Sequence, residues 1–295
     1  MNIAFVCFST SIPTVPSIIE GCDTLLYKQG FSLLLFQSQC DFSKEEQILL
    51  SLEEKPVDAL IIEPVFSGEG KSNIALLQKL AAHDIPVVLV NNYFLDTHFT
   101  TIKTDEQYVG TSIVDYLYSK GHRKIGILYE DDYYPSILRA HSTIMRMQQY
   151  GLQVPNEWII RFQSRPVGSP CCQAVSRYFE ITSEHPTCFI CSTDRAAITF
   201  LEQAEERNIQ VPKDISLIGY GNTEAARIPG RGLTTVDYPG FFVGKSAANQ
   251  VLDSLLAPET SEISTQSIFP KLIERDSVIE VKPEKPTLPE DALHL

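Results

Sequence analysis

At 295 residues with 43% hydrophobic side chains, the chain is long enough to build two α/β lobes, each with its own core. Its 24 Lys and Arg stand against 37 Asp and Glu, a formal net charge of -13. That balance disfavours contact between this polypeptide and a nucleic-acid backbone, because counterion release needs a basic face. No apolar run approaches the roughly 18 residues of a membrane span, and the start MNIAFVCFST lacks a basic n-region and a small-residue cleavage site. A cytoplasmic location without membrane contact is the expectation.

Short apolar runs that stop abruptly at polar residues alternate with segments of helical period. IAFVCF ends at Ser9 and Thr10. From Val15 to Gly30 the residues Val15, Ile18, Ile19, Cys22, Leu25 and Leu26 make one apolar stripe, with Gly30 as the stop. A helix near 44–54 precedes DALIIE, which ends at Glu63 and Pro64, and a helix near 71–83 precedes PVVLV, which ends at Asn91 and Asn92. After a helix over 106–120, GHRKIGILY opens a new strand that ends at Glu130, Asp131 and Asp132. Helices near 136–150 and 171–182 lead to TCFICS, which ends at Thr193 and Asp194, and a helix near 195–207 leads to ISLIGY, which ends at Gly221 and Asn222. LTTVDYP reads as an extended crossing, since Pro239 disfavours helix at Tyr238. A helix over 241–256 and the segment KLIERDSV follow, and the Pro-rich acidic end KPTLPEDALHL reads as a loosely held tail.

Apolar runs of four to eight residues between helices are the pattern of buried parallel strands. The predicted fold class is therefore α/β, with two doubly wound parallel-sheet lobes joined by several crossings. One lobe comprises 1–121 with 239–267, the other 122–238 with 268–285, and 286–295 is the tail. In such sheets ligands bind outside the carboxyl ends of the strands, so the polar residues that end each run are the candidate binding surface. A cleft between lobes joined by several crossings also suits hinge closure.

The seven cysteines point away from metal or redox chemistry. Cys188 and Cys191 form a CxxC inside a strand, where a spacing of three puts them on opposite faces as small buried hydrophobes. Cys171 and Cys172 have no second pair at zinc-finger spacing, and the odd count argues against a disulfide framework.

The stretches TDEQYVG, YLYSKGHRKIGIL, Arg139 ahead of a helix, STDRAA, VPKDISLIGYGN, LTTVDYP with VGKSAA, and ERDS together closely resemble the effector-binding domain of the lactose-repressor/galactose-repressor family, a fold similar to periplasmic sugar-binding proteins (type I). The resemblance runs from about Ile3 to Val278. Within the family, VPSIIEGCD, DALIIEP and SNIALLQKL look most like arabinose-type repressors. The resemblance implies a repressor's sensor that binds a small sugar such as a pentose, works as a homodimer, takes no cofactor or metal, and reaches DNA only through an N-terminal head that this chain does not include. Ligand binding would then lower operator affinity.

The resemblance also implies site residues. Asp105, five residues before Gly110, matches the family's ligand-contacting acid, and a helix N-cap is its other reading. Arg139 matches the arginine that forks across two substituents of the effector, for which a planar guanidinium has the geometry. Asp194 is similar to a contact position, with capping of the next helix as the alternative, and Glu63 resembles the arabinose-type IIEP, with a rim salt bridge as the alternative. The family usually has an acid directly after GY, where this chain has Gly221. Asn222 is a partial replacement, or Gly221 serves a left-handed turn. Ser9, Thr10, Asn91 and Asn92 end strands and can donate to hydroxyls or satisfy neighbouring backbone. Tyr133 and Tyr134 are candidates for stacking on a sugar face. Trp158 and His122 read as structural.

Two other functions share parts of this pattern. A transport-type sugar-binding protein would carry a secretory signal or lipidation cysteine near its start, and Cys7 falls inside a strand instead. An enzyme would use acids such as Glu63, Asp105 and Asp194, yet no GxSxG, P-loop, HExxH or GxGxxG is present. No catalytic residue is assigned.

Overall fold

The computed structural model describes residues 1–65, 72–94, 99–165, 169–182, 184–227, 232–259 and 262–282. In the first lobe the chain runs β1 (Asn2–Cys7), α1 (Val15–Leu26), β2 (Ser32–Gln37), α2 (Phe42–Leu52), β3 (Ala59–Ile62), α3 (Ile74–Ala82), β4 (Val87–Val90) and β5 (Thr100–Thr104). It continues through α4 (Glu106–Ser119), β6 (Ile125–Glu130), α5 (Tyr134–Gln149), β7 (Ile159–Phe162), α6 (Ser169–Ile181), β8 (Cys188–Cys191), α7 (Asp194–Glu206), β9 (Ser216–Tyr220) and β10 (Thr234–Asp237). Three last elements follow, α8 (Gly240–Leu256), β11 (Thr265–Ile268) and β12 (Lys271–Ile273). The strands make two six-stranded sheets, ordered β11-β5-β4-β3-β1-β2 and β12-β10-β9-β8-β6-β7. Every pairing is parallel except the antiparallel edge pair β10–β12.

The apolar runs become central strands because helices cover both faces of each sheet. Along β1, Ile3, Phe5 and Cys7 pack with α1 and α8, while Ala4 and Val6 pack with Leu49, Leu52 and Leu77 of α2 and α3. With both alternating sets buried, the strand has no polar face to break the run. The second sheet repeats this, with α6 and α7 on one face and α4 and α5 on the other. Cys188 and Cys191 fall on its two opposite faces, both fully buried, and burial pushes both thiols well above their usual range.

Two details depart from the sequence expectations. The predicted helix through Gly30 ends at Leu26 and is followed by a 3-10 turn, with Gly30 in the left-handed region at φ 79. The strands β2, β5, β7, β11 and β12 were not singled out among the apolar runs. Helix α4 buries Val109, Ile113, Val114 and Leu117 against the second sheet. The chain passes from the first sheet to the second between β5 and β6. The tail over 286–295 lies outside the described residues.

Candidate ligand site between the lobes

The carboxyl ends of the two sheets meet at a hydrogen-bonded cluster. Glu63 follows β3 and Asn91 follows β4 in the first lobe, whereas Tyr133 precedes α5 and Tyr238 follows β10 on the opposite side. The Tyr133 hydroxyl donates to Glu63 Oε1 at 3.2 Å, as does Asn91 Nδ2 at 3.1 Å. The Tyr238 hydroxyl in turn donates to Asn91 Oδ1 at 2.6 Å. Asn91 turns the chain at φ 59, a conformation that Asn tolerates better than most residues. Glu63 is only 3% exposed, and burial pushes its carboxyl up to about 7 against the pull of the Asn91 and Tyr133 hydrogen bonds. Edge-to-face ring pairs, Phe8 with Tyr133 and Tyr93 with Tyr134, complete the contact between the lobes.

Beside this cluster is a cavity of about 250 Å³ whose walls include Asn91, Tyr93, Lys103, Asp105, Glu106 and Leu138. Drug-sized ligands occupy pockets of about 300–1,000 Å³, so this space suits a single sugar ring better than a longer oligosaccharide. Asp105 caps α4 by accepting from Tyr108 N at 2.9 Å, and it also lies on the cavity wall. Lys103 sets its ammonium 3.9 Å from the centre of the Tyr93 ring.

Arg139 stands just behind the cavity, 4% exposed. It forms a buried ion pair with Glu106, donates to the Ser192 carbonyl at 3.0 Å and lies 3.7 Å from the centre of the Tyr220 ring. Burial would lower its pKa, but the Glu106 charge and hydrogen bond, with Tyr220 and Glu130, together outweigh this and hold it above its usual value. Glu106 also accepts from the hydroxyls of Thr104 and Tyr220. In this arrangement the guanidinium is buried rather than on an exposed helix face, and it ties α5 to the first turn of α4.

The other predicted residues are engaged elsewhere. Asp194 is fully buried and accepts from Thr223 N at 2.7 Å and from the Thr235 hydroxyl; the cap of α7 is Thr193, which accepts from Ala196 N at 3.1 Å. Asn222 is outside the cavity wall: its amide donates to Asp237 at 2.8 Å and its side-chain carbonyl accepts from Arg275 at 2.6 Å. Gly221 sits at φ 125, a conformation that glycine adopts freely and in which an acid would be strained. Ser9 pairs with the Ser11 hydroxyl at 2.8 Å, and Thr10 donates from its backbone to Gln37 at 2.9 Å. Asn92 donates to the Pro64 carbonyl at 3.0 Å. His122, bonded to Thr187 at 2.8 Å and to the Ile279 carbonyl at 3.1 Å, has its pKa lowered to about 4 by burial. Trp158 packs in the core of the second lobe.

Sequence reasoning passed over Glu106, Tyr220, Tyr238 and Lys103. Glu106 reads as an ordinary first-turn acid, and only its place beside Asp105 at a strand end marked it. Among the described residues no group of His, Cys, Asp and Glu could hold a metal ion, and no helix is long and apolar enough to cross a membrane.

Comparison with known proteins agrees with this architecture. The family model of the periplasmic binding protein-like domain matches residues 114–278. An arabinose metabolism transcriptional repressor of Geobacillus stearothermophilus is 27% identical over 267 residues, 90% of this chain and 73% of that protein. The HTH-type transcriptional repressor PurR of Klebsiella pneumoniae is 28% identical, covering 94% of this chain and 80% of its own length. A LacI family transcriptional regulator from Enterococcus faecium with bound ribose superposes with a TM-score of 0.81 at 21% identity, over 96% of this chain and 100% of that one, and so shares the fold. With residues 114–278, more than half its length, matched by the family model and both sheets in place, the chain belongs to the periplasmic binding protein-like domain family.

Proposed function

We propose that this domain senses a small sugar, a pentose such as arabinose, in the cavity between the lobes, and that it passes lobe closure across a homodimer to the DNA binding of a repressor. The observation that carries this reading is the cavity itself. It lies where strand ends of one lobe meet α5 of the other, with Asp105, Asn91 and Lys103 on its wall to exchange hydrogen bonds with hydroxyls. The arabinose repressor among the relatives and the ribose bound in the Enterococcus regulator support a sugar as ligand. Asp105, Arg139, Glu63, Asn91 and Tyr133 are the residues we assign to ligand and closure. The moving bodies are the two lobes, one built on each six-stranded sheet. Recognition without turnover fits relatives that are transcriptional repressors.

A thermal-shift screen of free pentoses, hexoses and their phosphates tests the proposal. A ligand at about 100 times its dissociation constant stabilises by about 2.7 kcal/mol and lifts the midpoint by several degrees. One sugar is expected to do so, and Asp105→Ala is expected to abolish the shift. A screen in which no sugar moves the midpoint, or a shift that Asp105→Ala leaves intact, contradicts the proposal.

A further inference from the structure

The guanidinium behind this cavity wall is already neutralised from within. Arg139 is buried, and three groups surround it: the Glu106 carboxylate, the Ser192 carbonyl and the face of Tyr220. Glu106 is itself on the cavity wall and takes two further hydrogen bonds, from Thr104 and Tyr220. It is therefore fixed in place by residues of β5 and β9 as well as by α5. Among the described cavity-lining residues the one cation is Lys103, and it shares the wall with two carboxylates, Asp105 and Glu106. Behind Arg139, Glu130 adds a third acid, accepting from the Ser192 hydroxyl at 3.0 Å.

A phosphorylated or carboxylated ligand entering this space meets two carboxylates on the wall, while the arginine that would receive it is held by one of them. A neutral polyol has no such conflict, because its hydroxyls can donate to Asp105 and Glu106 and accept from Lys103 and Asn91. From this arrangement we propose that Glu106 is the specificity-determining residue of the site, restricting it to uncharged hydroxylated ligands by occupying Arg139. The inference rests on the sugar-sensing reading above and narrows it to free rather than phosphorylated sugars. Glu106 acts partly through Arg139, so its test must read charge selectivity and not only affinity.

The test is calorimetric titration of the full chain and of Glu106→Gln with free pentoses and hexoses, with D-ribose 5-phosphate and with inorganic phosphate. Gln keeps the volume and an acceptor for Thr104 and Tyr220 but frees the guanidinium's charge. Wild-type protein is expected to bind a free sugar and neither anion. Glu106→Gln is expected to gain affinity for the anions by about tenfold or more, as one charge-assisted hydrogen bond would give, while neutral-sugar affinity changes less. Should Glu106→Gln fail to fold, the wild-type preference for free over phosphorylated sugar still decides the matter. A wild-type domain that binds D-ribose 5-phosphate as well as or better than every free sugar overturns this inference and leaves the sensor reading standing. So does a folded Glu106→Gln without gain for either anion. Wild-type protein that binds neither sugars nor phosphates overturns both.

Discussion

Glu63 shows how one carboxylate can couple the cleft to solvent pH. Its ordinary value is 4.5, and burial between the lobes raises it to about 7. Below pH 4.5 the folded and unfolded chains both hold the proton, and the contact carries no charge penalty. As pH rises from there towards 7 the unfolded chain ionises first, so stability is lost, and the loss levels off once the folded carboxyl has ionised. Glu63→Gln removes this titration. It should be nearly neutral at pH 4 and stabilising by on the order of 2–3 kcal/mol at pH 8, measured by urea denaturation at the two values. Glu45, also raised to about 7 by burial, remains in the variant and leaves a residual slope. An identical effect of Glu63→Gln at both pH values would show that the group is not shifted.

At the scale of elements, the site depends on how closely α4 approaches α5. A Cβ at Gly110 would lie 2.0 Å from Ser142 Oγ and 2.6 Å from the Arg139 carbonyl oxygen, so the helices meet where only glycine fits. Gly110→Ala should cost about 1–3 kcal/mol by overpacking, and it should weaken sugar binding because the displaced turn carries Arg139. Stability loss with unchanged sugar affinity would separate the helix contact from the site. Most of this architecture is legible in the sequence, because β1, β3, β4, β6, β8 and β9 are buried on both faces or nearly so and show as apolar runs. The rest fails for physical reasons. TTIKT of β5 carries threonines and a lysine that an apolar-run criterion does not select, and SLLLFQ of β2 is a half-exposed edge strand separated from the Gly30 stop by one residue. The side taken by α4 was hidden because periodicity reports that a helix has an apolar face, not which sheet covers it. The Glu106–Arg139 pair spans 33 residues on two helices, and no local pattern reports such a pairing.

At the scale of the molecule, the chain crosses between the lobes after β5, after β10 and between β11 and β12, and the lobes touch through Tyr133, Tyr134 and Tyr238. A ligand can move such a system only by as much as it prefers one arrangement over the other. Tyr133→Phe removes the hydroxyl that joins the lobes to Glu63 and should shift the ligand-free protein towards opening, read as a larger radius of gyration in solution scattering that sugar binding reverses. An unchanged radius with and without sugar would argue against closure. The central claim, a single sugar site in the inter-lobe cavity, is tested most directly by calorimetric titration of free pentoses into wild-type protein and Asp105→Ala. The account predicts one pentose binding with a stoichiometry of one per chain and losing its heat in the variant; binding that Asp105→Ala leaves unchanged, or no binding of any sugar, free or phosphorylated, would contradict it.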